Sequence, residues 1–342
     1  MSDIASKRRF PWIVVPSLIL TFLALGWSGF WYYAAGRSEE ILDRLIEREA
    51  AAGRQYSCAS RDVSGFPFRF EVHCREPRLE LAASPAPIIM QARDAVALAQ
   101  VWQPTHLILE VTGPATYSEA GAQPSAEARW KLLQASVRGT PGNPDRLSVV
   151  VDEVTIDRVA APQNEMMVRA GRLEIHARTS PESKPNDVAL DIATRASGMS
   201  APAIKVEALD ADIEGTLRGL TDLRAKPIKA RLQELQQAGG RLTINKARLQ
   251  QGGAIGAGSG SLGLTPSARI EGSLRLTIAG FESVVKLLTS NERTQAGMLA
   301  GLSLLRGKNE LEGKRAIDLP LRFVDGNAYL GPIPIGQVPA LY

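Results

Sequence analysis

Hydrophobic positions along this chain change their rhythm twice. Between Arg9 and Arg37 there is none: FPWIVVPSLILTFLALGWSGFWYYAAG contains no Asp, Glu, Lys or Arg. An α-helix rises about 1.5 Å per residue and a bilayer core is about 30 Å thick, so roughly 20 apolar residues suffice to cross it. In hydrocarbon an unpaired amide is costly, and a helix pairs its amides internally. Trp12 lies near one end of the run, with Trp27, Trp31, Tyr32 and Tyr33 near the other, where amphipathic rings meet the two interfaces. Lys7, Arg8 and Arg9 precede it, which predicts a cytoplasmic N-terminus and an exported remainder. The alternative is a signal peptide cleaved near Ala34-Ala35-Gly36, but secretory apolar regions run about 7–15 residues and this one is longer. An uncleaved anchor is expected over 10–36.

Behind the span the period becomes 3.6. Ser38 suits an N-cap, Glu39 and Glu40 a first turn, and Ile41, Leu42, Leu45 and Ile46 one helical face, with Gly53 to close it. Residues 37–53 read as a stalk helix. An amphipathic helix packed on the domain fits the same spacing.

From Arg54 the period is 2. Phe66, Phe68, Phe70, Val72 and Cys74 fall on one face and Arg69, Glu71 and His73 on the other, as in a half-buried strand. Val63-Ser64-Gly65 reads as the turn and Tyr56–Ala59 as the returning strand, which brings Cys58 to Cys74. Alternation recurs through Leu107–Val111, Trp130–Gln134, Leu147–Val151, Val154–Ile156, Leu173–Ala177, Val188–Ile192, Leu209–Leu217, Leu242–Ile244, Ala247–Leu249, Leu262–Leu264 and Ile270–Ile278. The closing hairpin has Ile317, Leu319, Leu321 and Phe323 on one face, turns at Asp325-Gly326, and returns through Ala328 and Leu330. Pro332, Pro334 and Pro339 exclude a central strand after it. Two helical stretches interrupt this pattern. One starts at Pro227 and runs through Ile228, Leu232, Leu235 and Ala238; the other covers Glu282–Arg306. The fold class expected is mainly β with flanking helices: an elongated, curved antiparallel sheet preceded by one N-terminal transmembrane helix. Its strands have one apolar and one polar face.

Composition narrows the function classes. Hydrophobic content of 44% and charged content of 22% describe a folded chain. The net charge of +4 is spread among acids with no basic stripe, so nucleic acid is not an expected partner. Cys58 and Cys74 are the only cysteines. On the exported side they favour a structural disulfide, which closes a loop of about 15 residues and is worth roughly 3 kcal/mol. A redox pair or metal site would need CxxC spacing or histidine partners. His73, His106 and His176 are scattered, without paired-ligand spacing. Gly258–Gly263 satisfies GxGxxG but is followed by Thr265-Pro266 and a strand rather than a helix, so it reads as a glycine-rich β turn. Asp152-Glu153 and Asp210/Asp212 alternate with apolar residues, as solvated strand faces do. No GxSxG elbow occurs. No catalytic residue, metal ligand or cofactor site is expected, and the chain is not expected to be an enzyme.

The segment Gly65-Phe66-Pro67-Phe68-Arg69-Phe70, bracketed by Cys58 and Cys74, and the closing run Gly307–Gly331 resemble the domain of unknown function 2125 family of proteobacterial envelope proteins, over nearly the whole chain. The strand-rich stretch Gly240–Gly280 is distantly similar to the C-terminal part of AsmA-type proteins, which are inner-membrane anchored, periplasmic and linked to lipid traffic. Neither resemblance brings catalytic residues. Topology and resemblance together imply a cytoplasmic tail over 1–9, a transmembrane helix over 10–36, a stalk over 37–53 and a periplasmic β-rich domain over 54–342. The expected function is non-enzymatic: the membrane is a partner, and the apolar sheet face binds or guides lipid or another hydrophobic ligand. The alternatives are an envelope scaffold or assembly factor working through protein contacts, and an envelope hydrolase.

Overall fold

The computed structural model describes residues 14–82, 87–140, 143–159, 163–184, 187–224, 226–280, 283, 309–331 and 333–342. The tail over 1–9, the first residues of the span and, Ser283 excepted, the expected helix over Glu282–Arg306 lie outside these.

Helix α1 runs unbroken from Val14 to Ala51. The Ser38 side chain bonds back to the Ala34 carbonyl at 2.9 Å, so this serine sits inside the helix rather than capping its start, and span and stalk are one rod. The continuity of the helix has a simple cause. Residues 34–42 contain no Gly or Pro apart from Gly36, and nothing competes with the next intrahelical bond. The rod ends as expected, with Ala52 and Gly53 bonding back to Arg48 and Ala50 and Gly53 at φ 80°. From Trp31 onward it packs against the body instead of lifting it: Trp31 is buried, Asp43 pairs with Arg61 at 2.7 Å and Glu49 with Arg54 at 2.6 Å.

Strands β1 (Arg54–Ser57) and β2 (Ser60–Ser64) pair antiparallel with β4 (Arg78–Leu81) and β3 (Arg69–Arg75) in one register, Tyr56 opposite Leu79 and Val63 opposite Val72. Cys58 lies in the break between β1 and β2 and is bridged to Cys74, Cα to Cα 5.4 Å. The expected hairpin is present, but its turn covers Gly65–Phe68, with the Arg69 amide bonded to the Gly65 carbonyl at 3.1 Å. Phe66 and Phe68 therefore belong to the turn and not to the strand, because Pro67 lacks the N–H that a ladder residue needs. Replacing both cysteines by serine is expected to cost about 3 kcal/mol through the unfolded state. Denaturant melts with and without reductant check this: the reduced native chain should match the double variant.

Both β3 and β4 lie on β5 (Ile88–Gln100), which pairs with β6 (Gln103–Glu119). The next position is shared by β7 (Ala126–Arg129) and β8 (Leu132–Thr140), both between β6 and β9 (Asn143–Arg158). Trp130 fills the gap between β7 and β8. Its indole donates to the Val111 carbonyl at 2.7 Å, and its ring lies where a side chain on Gly113 would project. After β9 each strand pairs antiparallel with the next: β10 (Glu165–Thr179), β11 (Val188–Ala201), β12 (Val206–Leu220), β13 (Arg241–Gln251), β14 (Ala254–Leu264) and β15 (Ile270–Ala279). Beyond β15 come β17 (Lys314–Val324), β18 (Asn327–Leu330) and β19 (Ile333–Gln337), with β16 (Glu310–Leu311) as a short hairpin partner of β17. The meander needs no crossover, and β19, which carries Pro334, pairs on one side only among the described residues. Asp325 and Gly326 turn with φ 51° and 79°, the left-handed pair of a two-residue hairpin.

Helix α2 (Ile228–Gln237) follows Pro227 and links β12 to β13. Leu235 is buried over Gly240, whereas Ile228, at the start of the same sequence stripe, is exposed. Glu234 ties the helix to its approach loop, accepting from Thr221 at 2.6 Å, Lys226 at 2.9 Å and Arg231 at 2.8 Å. Burial pushes the Glu234 carboxyl up, but these hydrogen bonds and charges pull harder and hold it down at about 2. A carboxyl depressed by folding adds stability above its unfolded pKa, and that stability is lost as pH falls from about 4.5 towards 2. Glu234→Gln is expected to lower stability at neutral pH by on the order of 2 kcal/mol and to flatten this acid limb, as read by urea melts across pH 2–6.

Candidate functional site

Antiparallel register places directly opposed residues on the same face of the sheet. One row can be followed strand by strand: Val63, Val72, Ala97, Leu109, Ala135, Val149, Ile175, Thr194, Ile213, Ala247, Gly258, Leu276 and Leu319. The flanking row on one side starts Phe70, Ala99, Leu107, Val137, Leu147 and reaches Leu321 and Leu330. The row on the other side passes through Val151, Leu173, Ala196, Ala211 and Leu249 to Ile278 and Ile317. Three adjacent rows thus carry mainly apolar side chains or glycine across the sheet; Thr194 interrupts the central one, and the third ends on β2 at Arg61, which pairs with Asp43 of α1.

Two devices keep the rows continuous where the sequence changes phase. In β13 the apolar positions shift from Leu242 and Ile244 to Ala247 and Leu249. A bulge at Asn245 absorbs the extra residue, so Ile244 still meets Gly215 and Ala247 meets Ile213. Gly258–Gly263, expected as a glycine-rich turn, is strand within β14. Gly258 and Gly260 stand opposite Leu276 and Leu274, and a Cβ on either would lie 2.7 Å from Leu276 Cδ2 or 2.3 Å from the Ser273 carbonyl oxygen. The leucines of β15 occupy the space that those glycines leave.

The apolar face is open along its middle. Ile175 is 49% exposed, Leu107 42%, Leu249 41% and Leu147 38%, although all four sit within the three rows. Full burial is found at the C-terminal end, where Ile317 and Leu319 are 2% and 4% exposed. At its N-terminal edge the face meets helix α1: the Trp31 ring stacks on Phe70 at 5.7 Å and 20°, and the Trp31 indole donates to the Arg69 carbonyl at 3.1 Å.

The opposite face is polar. Its cross-strand residues include Glu110, Gln134, Glu174, Arg195, Asp212 and Arg248. Arg172–Glu174 at 2.5 Å and Arg195–Asp212 at 3.7 Å are solvated pairs, each worth less than about 1 kcal/mol. A shallow hollow on this face gathers Arg146, His176, Arg178, Asp191, Glu214 and Asn245, with the charges of both signs facing one another.

The residues singled out by sequence do not converge. His73, His106 and His176 lie on β3, β6 and β10, beside Glu71, Ser136 and Glu174. Asp152 pairs with Arg172 at 2.7 Å, Glu153 with Lys131 at 2.9 Å, and Asp210 accepts from the Gly198 amide at 2.8 Å. Among the described residues no group of three or more His, Cys, Asp or Glu could hold a metal ion. Of the expected site residues only Cys58 and Cys74 are brought together. Sequence reasoning missed the docking of Trp27 and Trp31 onto Phe66, Phe68 and Phe70, partners some forty positions away. The one signal for it was two aromatic clusters in a chain with 6% aromatics.

No curated protein matches this chain, so the AsmA-type likeness carries no further argument. A family model matches residues 31–339, from the docking tryptophan of α1 through the whole sheet. The chain therefore belongs to the family described as "Uncharacterized protein conserved in bacteria" (DUF2125).

Proposed function

We propose that this is a non-enzymatic, single-pass protein of the bacterial inner membrane whose sheet carries or guides lipid, or another hydrophobic ligand, along its apolar face in the periplasm. The observation that carries this reading is the set of three adjacent, predominantly apolar rows, open to solvent in the middle and contiguous with the anchor helix at one edge. Exposed apolar surface of this extent is costly in water and marks a surface with an apolar partner. A disulfide between Cys58 and Cys74 fits an oxidising compartment, and Lys7-Arg8-Arg9 ahead of the span fits a cytoplasmic N-terminus. The α1 helix, with mean hydropathy of 1.6 in its most apolar window, is long and apolar enough to anchor the body there.

The test is a photoreactive residue placed at Ile175 on the apolar face and, separately, at Ser259 on the polar face of the full-length chain in living cells. Crosslinked lipid at position 175 and none at 259 is the expected result. Crosslinks from 175 to protein alone would replace the lipid reading with that of a scaffold. A reporter fused after Tyr342 should be active only in forms that require export.

A further inference from the structure

We propose that the turns Gly65–Phe68 and Val101–Trp102 form an aromatic wedge seated in the outer leaflet of the same bilayer that α1 crosses, so that the apolar face opens directly at the membrane surface. The proposal rests on the anchor reading of α1 and not on any lipid carried by the sheet.

The two turns are locked to each other and to the helix. The Trp27 indole donates to the Pro67 carbonyl at 2.9 Å, Trp31 holds Arg69, and the Val101 amide donates to the Phe68 carbonyl at 3.1 Å. Phe68 lies between Trp27 and Trp102, with ring centroids 6.4 and 6.2 Å away. Their height follows from the helix. The charge-free run between Arg9 and Arg37 is centred near residue 23. A bilayer core of about 30 Å at about 1.5 Å per residue then ends near residue 33. Trp27 and Trp31 fall in the last turns before that boundary; Pro67 and Phe68 contact Trp27, and Trp102 contacts Phe68 in turn.

What these turns present is apolar and uncharged enough to enter. Phe66 is 49% exposed, Phe68 57% and Trp102 60%, on neighbouring turns, where water would offer them nothing. No carboxylate occurs from Val63 to Phe70 or from Ala95 to Leu109, so no acidic group has to be desolvated. Rings at this depth are the usual occupants of the boundary between acyl chains and headgroups.

The experiment uses the full chain in nanodiscs of phosphatidylethanolamine and phosphatidylglycerol, with fluorotryptophan incorporated and a nitroxide on the lipid acyl chain near the headgroup. Trp102 is expected to lose fluorine NMR intensity as strongly as Trp27. Trp130, bonded to Val111 roughly 30 Å further along β6, should keep at least severalfold more. A Trp102 signal as intact as that of Trp130 overturns the wedge while leaving the anchor standing. Loss of attenuation at Trp27 overturns both. Phe68→Glu should at least halve the attenuation at Trp102 with the Trp130 shift unchanged. Undiminished attenuation would mean that the anchor alone brings Trp102 near the lipid, which also overturns the wedge. In a chain with Leu147→Glu and Ile175→Glu the Trp102 attenuation should be unaltered, and its disappearance would assign the contact to lipid on the sheet instead of the bilayer.

Discussion

The full-length chain carrying Leu147→Glu and Ile175→Glu should come out of the membrane folded and at least tenfold poorer in co-purified lipid. Both side chains sit in the apolar rows of β9 and β10, and at 38% and 49% exposure neither fills a core, so shortening or charging them opens no cavity. An acyl chain lying on that face would have to strip water from two carboxylates, at a cost of several kcal/mol. Tenfold corresponds to only about 1.4 kcal/mol, so the expected loss is a lower limit. Ser259→Glu is the matched control. It lies on the polar face opposite Arg275 and should leave lipid content and melting unchanged. Lipid extraction with mass spectrometry, paired with a urea melt, separates the outcomes. Undiminished lipid with an unchanged melt would remove the apolar face as the carrier. A collapsed melt would show that the face is packed in the native chain.

Gly260→Ala should destabilise the C-terminal third of the sheet by about 3 kcal/mol or more, the range of combined overpacking and backbone strain. Its φ is 153°, and an added Cβ would stand 2.3 Å from the Ser273 carbonyl oxygen and 2.7 Å from the Leu274 Cα. Both are backbone atoms of the paired strand, so relief requires β14 and β15 to move apart. Gly256, two pleats away on the same strand and face, provides the contrast. Nothing lies within 4 Å of its added Cβ. Gly256→Ala should be neutral or stabilising by up to about 1 kcal/mol, because it restricts only the unfolded chain. Urea melts and the rate of tryptic cleavage after Arg275 measure both. Equal behaviour of the two variants would refute the close approach of β15 to Gly260.

The apolar rod, the two-faced strands, the Asp325-Gly326 hairpin, the α2 start at Pro227 and the Cys58–Cys74 pair are all legible in the order of residues. Each is a statement about neighbours along the chain: an uninterrupted apolar run, a period of 2, a turn dipeptide, a loop short enough to close. Local chemistry also misled where a contact from far away won. Ser38 looks like a cap but lies inside a continuous helix. Phe66 and Phe68 keep the strand's alternation and yet serve a turn held by Trp27 and Trp31. Gly258–Gly263 has the composition of a turn and the conformation of a strand, because leucines on β15 fill the space above it. That the apolar positions of a dozen strands line up into one open face emerges only from the folded sheet. A phase change at Asn245 looks like the end of a strand until the partner's register is known. Periodicity says which way a side chain points within its own strand; alignment between strands is set by pairings that span the chain, and no local period encodes them.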